Sequence, residues 1–211
     1  QSLSSRIEAF PEPDVSAVIT PELDLEPRDE DFKPYPFDAE TKHAPPGTRM
    51  TGGKYPVVTG LEHDEWGHPS SGPEIHQKMT DRRREKHKRM AAALPLPDIH
   101  GDKEGEVLLI GWGSTWGPIR EAVNVARDNG HAVSAIHLRH IHPMPGGIDG
   151  IMDAFKRVLV IEMNDEGMYG YGQLATLLRA RYADSKIQSL TKCDGLNFKI
   201  REIIAGIENS A

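Results

Sequence analysis

The stretch Val107-Leu108-Leu109-Ile110-Gly111-Trp112-Gly113-Ser114-Thr115-Trp116-Gly117-Pro118 decides the fold. Four apolar residues in a row mark a strand buried on both faces. A glycine-rich turn follows, in which Ser114 or Thr115 offers an N-cap and Pro118 suits a first helical turn. Ile119, Ala122, Val123 and Ala126 then recur at i, i+3, i+4 and i+7, one stripe of a helix. Asn129-Gly130 closes that helix. The alternation continues to the end of the chain. Ala132 to Leu138 reads as a second strand, and Ile148, Ile151, Met152 and Phe155 as a second helical stripe. Val158 to Ile161 is a third strand, followed by a helix marked by Leu174, Leu177, Leu178 and Arg181. Ile187 to Leu190 is a short fourth strand, and Ile200, Ile203, Ile204 and Ile207 mark a last helix. Four strand-then-helix units predict an α/β fold, a mainly parallel sheet with right-handed crossovers and flanking helices.

Upstream of this domain the character changes. Residues 1–40 carry eleven acids and three Lys/Arg, whereas the remaining chain holds 21 acids and 22 bases. The net charge of −7 therefore belongs to the N-terminal fifth. Eight of the sixteen prolines lie within residues 1–50. Phe10-Pro11-Glu12-Pro13 and Lys33-Pro34-Tyr35-Pro36 favour extended chain over helix. Residues 1–60 thus read as an extended, Pro-rich acidic arm. Phe10, Phe32, Tyr35 and Phe37 are costly to leave in water, so the arm is expected to lie on a partner domain rather than trail free. Residues 61–102 read as a connector, a loop followed by a basic helix over Glu74 to Ala93 and a linker from Leu94 to Asp102. Asp81 to Arg89 holds six bases and two acids, a solvated face first and a docking surface for an acidic partner second. Residues 103–211 form the folded domain.

Composition narrows the function classes. No apolar run approaches the roughly 20 residues of a membrane helix, so no membrane is expected. An acidic chain, with pI about 5.8, argues against nucleic acid as a partner. The single cysteine, Cys193, rules out a disulfide scaffold and suits a cytoplasmic setting.

Candidate site residues fall on the loops at the carboxyl ends of the strands, where α/β sheets gather ligands and partners. Ser114 and Thr115 sit in the first loop. Its G-x-G-x-x-x-G spacing departs from the dinucleotide fingerprint, and the second strand ends in Arg139 and His140 rather than an acid that could hold a ribose. A stand-alone nucleotide-binding module, for NAD(P) or CoA, is the alternative this turn keeps open. The second loop holds Arg139, His140 and His142; on an extended strand the two histidines would point the same way, but no further ligand completes a metal site. The third loop, Glu162 to Gln173, places Asn164 and Gln173 around three glycines, a surface able to fold onto a partner. Glu62, His63, Asp64 and Glu65 form the densest polar cluster outside the domain and read mainly as a hydrogen-bonded loop. No metal site is expected, and no catalytic residue can be singled out.

Several segments together resemble one family. Thr59 to Gly67, Arg84 to Lys88, Ile110 to Thr115, His137 to Pro145, Glu162-Met163-Asn164 and Gly172-Gln173-Leu174 are similar, in order, to the alpha subunit of the 2-oxoacid:ferredoxin oxidoreductases, the 2-oxoglutarate enzymes above all. The resemblance runs from about residue 45 to the end of the sequence. It implies a domain like the transketolase C-terminal domain, and an enzyme that decarboxylates a 2-oxoacid on thiamine diphosphate, reduces ferredoxin through a [4Fe–4S] cluster and releases an acyl-CoA. It implies a beta subunit that carries the diphosphate, magnesium and the cluster, with the rest of the alpha subunit, ferredoxin and CoA as further partners. Gln1 to Arg6 look like the exit from a preceding domain. On this reading the chain alone binds no cofactor, is inactive by itself and serves assembly. A cluster needs four thiolates, and there is one cysteine.

Overall fold

The computed structural model describes residues 12–20, 23–39, 44–53 and 55–209. The readings of Phe10 and of Gln1 to Arg6 lie outside these. Among the described residues five α-helices, α1 (Pro73–Ala93), α2 (Trp116–Asp128), α3 (Ile148–Asp153), α4 (Gln173–Tyr182) and α5 (Ile200–Asn209), accompany five strands. The strands are β1 (Ile99–His100), β2 (Gly105–Trp112), β3 (Val133–Leu138), β4 (Phe155–Glu162) and β5 (Ile187–Thr191). The boundary between two compact units falls inside α1, between Arg82 and Arg83.

In the second unit the sheet order is β1-β3-β2-β4-β5. β3, β2, β4 and β5 run parallel, so the expectation of a mainly parallel sheet with flanking helices holds. The apolar run of β2 is buried on both sides because its residues alternate between two layers. Leu108 and Ile110 join the core beneath α3 and α4, while Val107 and Leu109 join the core beneath α2 and α5. Gly111 lets α2 come close. A Cβ there would overlap Ile119 Cδ1 and stand 2.6 Å from Thr115 Oγ1.

Three details differ from the sequence reading. The segment from Leu94 to Asp102 is not pure linker, because β1 pairs antiparallel with β3 through Ile99–Ile136 and His100–Ala135 and covers that edge. Phe155 does not continue the α3 stripe. It opens β4 opposite Gly105 and is buried in the same core as Met152, so a strand residue imitates the next helical position. Leu177 is 43% exposed, and α4 buries Leu174, Ala175 and Leu178 instead.

In the first unit, the described part of the arm has little regular structure, only single 3-10 turns at Val15–Ala17 and Thr51–Gly53 and a bridge between Arg28 and Met50. Residues 32–37 are held by the turn at residues 62–68. Tyr35 N donates to Glu65 O at 3.0 Å, and Phe37 N donates to Glu65 Oε1 at 3.1 Å.

Candidate functional site

The carboxyl ends of β2 and β3 open onto a groove of about 610 Å3. Three elements build it. α2 begins with Trp116, and β3 runs out into Arg139 and His140. The antiparallel register of β1 sets Asp98, one residue before Ile99, opposite His137. Pro95, Pro97 and Pro145 stiffen the rim. Trp116 is held on both sides. Its ring is tilted against His137 at 5.3 Å and meets His100 edge-on at 5.9 Å, and His100 Nε2 lies 2.8 Å from Asn124 Oδ1. Burial, and then the charge of Arg139, hold His137 below its ordinary pKa, so its imidazole is neutral near pH 7. His137 Nδ1 is buried without a partner among the described residues. Asp98, Arg139 and His140 are exposed.

β3 ends at Leu138, so Arg139 to Gly147 is loop and His140 and His142 are not successive same-face residues of a strand. The His142 ring packs edge-on to His87 at 5.0 Å, while His140 lines the groove. Among the described residues no three His, Cys, Asp or Glu are grouped so as to hold a metal ion.

Beside the groove, at the switch point between β2 and β4, the first and third loops meet. Ser114 Oγ lies 3.6 Å from Met163 Sδ. Thr115 occupies the N-cap of α2 but does not cap it. Its hydroxyl donates to Trp112 O at 2.8 Å and accepts from Trp112 N at 3.1 Å, closing the turn onto β2. The dominant group here is one the sequence reading passed over. Glu162, at the end of β4, is fully buried. Its carboxylate accepts from Leu174 N at 2.8 Å, Ala175 N at 3.1 Å and Asn164 Nδ2 at 3.1 Å. It thus satisfies the free amides at the start of α4 and sits at the positive end of that helix. Gly172 makes this fit possible, since a Cβ would overlap Glu162 Oε2. Gln173 is the exposed first residue of α4. The only signal in the sequence was an acid directly after four apolar strand residues.

The cluster at residues 62–65 lies in the first unit and is engaged in internal bonds. Glu62 pairs with His76 at 2.7 Å, and His63 Nδ1 is 2.8 Å from Asp64 O. Asp64 Oδ1 accepts from Trp66 N and His68 N, each at 2.9 Å. Glu65 pairs with Lys33 at 2.9 Å. The cluster and the groove belong to different units.

Fold and site together define a doubly wound α/β domain with an open groove at the carboxyl ends of its strands and a buried carboxylate committed to structure. Residues 105–203 match the family model described as pyruvate:ferredoxin oxidoreductase core domain II. The chain is similar in sequence to part of the alpha subunits of 2-oxoacid:ferredoxin oxidoreductases. It is 35% identical over 198 residues to the 2-oxoglutarate oxidoreductase subunit KorA of Mycobacterium tuberculosis, covering 90% of this chain and 28% of that one. It is 34% identical over 143 residues to the alpha subunit of 2-oxoacid:ferredoxin oxidoreductase 2 of Aeropyrum pernix, covering 66% and 22%. Among solved structures it is similar to the 2-oxoglutarate:ferredoxin oxidoreductase from Magnetococcus marinus, solved with 2-oxoglutarate, coenzyme A and succinyl-CoA bound. There the TM-score is 0.68 and the identity 29%, covering 84% of this chain and 30% of that one. The chain thus spans between a fifth and a third of the length of these relatives.

Proposed function

We propose that the chain works as part of the alpha subunit of a thiamine-diphosphate-dependent 2-oxoacid:ferredoxin oxidoreductase in the cytoplasm. The reaction is oxidative decarboxylation of a 2-oxoacid, 2-oxoglutarate in this reading, to an acyl-CoA (succinyl-CoA) and CO2, with ferredoxin reduced. The observation that most supports this reading is the match of 198 residues at 35% identity to a 2-oxoglutarate oxidoreductase alpha subunit. Among the described residues no helix is long and apolar enough to cross a membrane. The division into an arm at residues 1–60, a connector at 61–102 and a domain at 103–211 is part of the proposal.

The residues present do not suit the enzyme's cofactors. A [4Fe–4S] cluster takes four thiolates, and the sequence has one, on Cys193. Magnesium diphosphate needs free acids converging on one point, whereas Glu162 is used up by amide donors. Thiamine diphosphate, magnesium and the cluster are therefore assigned to the beta subunit and the rest of the alpha subunit, and this segment to assembly.

The third loop suits that task. Gly167–Tyr169 forms a 3-10 turn that opens on Gly167 at φ 60° and is followed by Gly170 at φ 72°. Asp165 Oδ2 accepts from Gly167 N at 2.9 Å, and Tyr171 N donates to Glu166 O at 3.0 Å. The turn is shaped by its own bonds, yet it leaves Met168 93% and Tyr169 86% exposed. Two large apolar side chains on a preformed turn are a contact for a neighbouring subunit. Co-expression with the beta subunit and the rest of the alpha subunit of such an oxidoreductase tests the proposal. Co-elution with oxoacid-dependent ferredoxin reduction is expected, weakened by M168E. Elution of the chain alone would refute it.

A further inference from the structure

We propose that the groove at the carboxyl ends of β2 and β3 is a binding site for a ribonucleoside phosphate. Trp116 would stack the base, Asp98 would receive the ribose hydroxyls, and Arg139 with His140 would hold the phosphate. This goes beyond the assembly reading and does not depend on it.

A strand, a glycine turn and a helix are the layout that brings phosphate to a helix N-terminus. In the sequence the acid needed for the ribose is missing from the second strand, which ends in Arg139 and His140. The fold supplies it from the other direction. β1 runs antiparallel to β3, so Asp98 arrives beside the end of β3, opposite His137. The groove then holds an acid, a cation and an aromatic ring around one space of about 610 Å3. Ligand pockets of roughly 300–1,000 Å3 take molecules of nucleotide size.

Each group suits its task. Trp116 is preset by His137 and His100, and base–aromatic stacking contributes about 1–3 kcal/mol. Arg139 makes no hydrogen bond or ion pair with any described residue, and a guanidinium matches phosphate bidentately. The neutral His137 adds no second charge next to it. Gly113, at φ 59°, lines the groove and adds no side chain of its own to it.

The test is isothermal titration of the full 211-residue chain with ADP, paired with tryptophan fluorescence. Saturable ADP binding is expected, with R139Q and D98N each weakening it about tenfold or more. Loss of the fluorescence change in W116F, and weaker binding of 2′-deoxy-ADP, are expected as well. All three variants alter residues outside the buried core, and an unchanged circular dichroism spectrum checks the fold. The proposal is overturned if ADP fails to bind saturably up to about 1 mM, or if R139Q and D98N bind like the parent. Inorganic phosphate displacing ADP at equal concentration would overturn it too, leaving an anion site only.

Discussion

Replacing Glu162 separates a structural carboxylate from a dispensable one. In E162Q the side chain keeps its size but has one acceptor oxygen. If that oxygen keeps Leu174 N and Asn164 Nδ2, the new amide faces Ala175 N, donor against donor, at the 3.1 Å now taken by Glu162 Oε2. An orphaned buried amide costs about 1–3 kcal/mol. Losing the negative charge at the start of α4 adds about 0.3–2 kcal/mol. Relief from burying a charge offsets part of this, so a net loss of about 2 kcal/mol is expected for E162Q. E162A leaves all three donors without a partner and opens a void, and about 4 kcal/mol is expected. Urea unfolding followed by tryptophan fluorescence gives the global change. Amide exchange at Leu174 and Ala175 gives the local one, faster by about thirtyfold in E162Q. A change in E162Q below about 0.5 kcal/mol, with exchange at those amides unaltered, would refute the reasoning.

G172A should cost about 1–3 kcal/mol by overpacking against Glu162, and less in an E162A background; urea unfolding of the double-mutant cycle measures the coupling. E65A should speed amide exchange at Phe37 while changing the unfolding free energy of the α/β domain by less than about 0.5 kcal/mol, because Glu65 holds the arm through Phe37 N and Lys33 in the first unit only. R139Q should raise the pKa of His137 yet leave it below its ordinary 6.5, since burial is the larger cause of the lowering; NMR titration of the ring protons reads this. The sign for stability follows from linkage. The unfolded histidine takes up its proton first as pH falls through about 6.5, so the domain loses stability from there down to the folded pKa. R139Q narrows that loss.

Much of the fold was legible because its signals are local. Val107 to Ile110, the stripe from Ile119 to Ala126 and the stop at Asn129-Gly130 each lie within a few residues of chain, and they recur as β2 and α2. The errors came where two different geometries produce the same spacing. Phe155 sits three residues after Met152, as a helix would have it, but its burial comes from a strand facing the same core. Leu177 fits a helical stripe on paper, yet the face of α4 that meets the sheet is centred on Leu174, Ala175 and Leu178.

The candidate site was legible only in part. Arg139 and His140 could be placed at a strand end from the order of elements. Asp98 could not, because it reaches the groove through a two-residue strand whose pairing partner lies 37 residues further along the chain. Glu162 was visible as an acid after a strand, but its purpose depends on amides twelve and thirteen residues away.

Sequence by itself determined the alternation of strands and helices, the parallel sheet and the acidic, proline-rich character of the arm, because periodicity and backbone preference act over short stretches. Tertiary structure alone decided which side chains converge: Asp98 with Arg139 and Trp116, Glu162 with the start of α4, Glu65 with the arm. Those meetings rest on strand register and helix placement, which are set by how the whole core packs and not by any local run of residues.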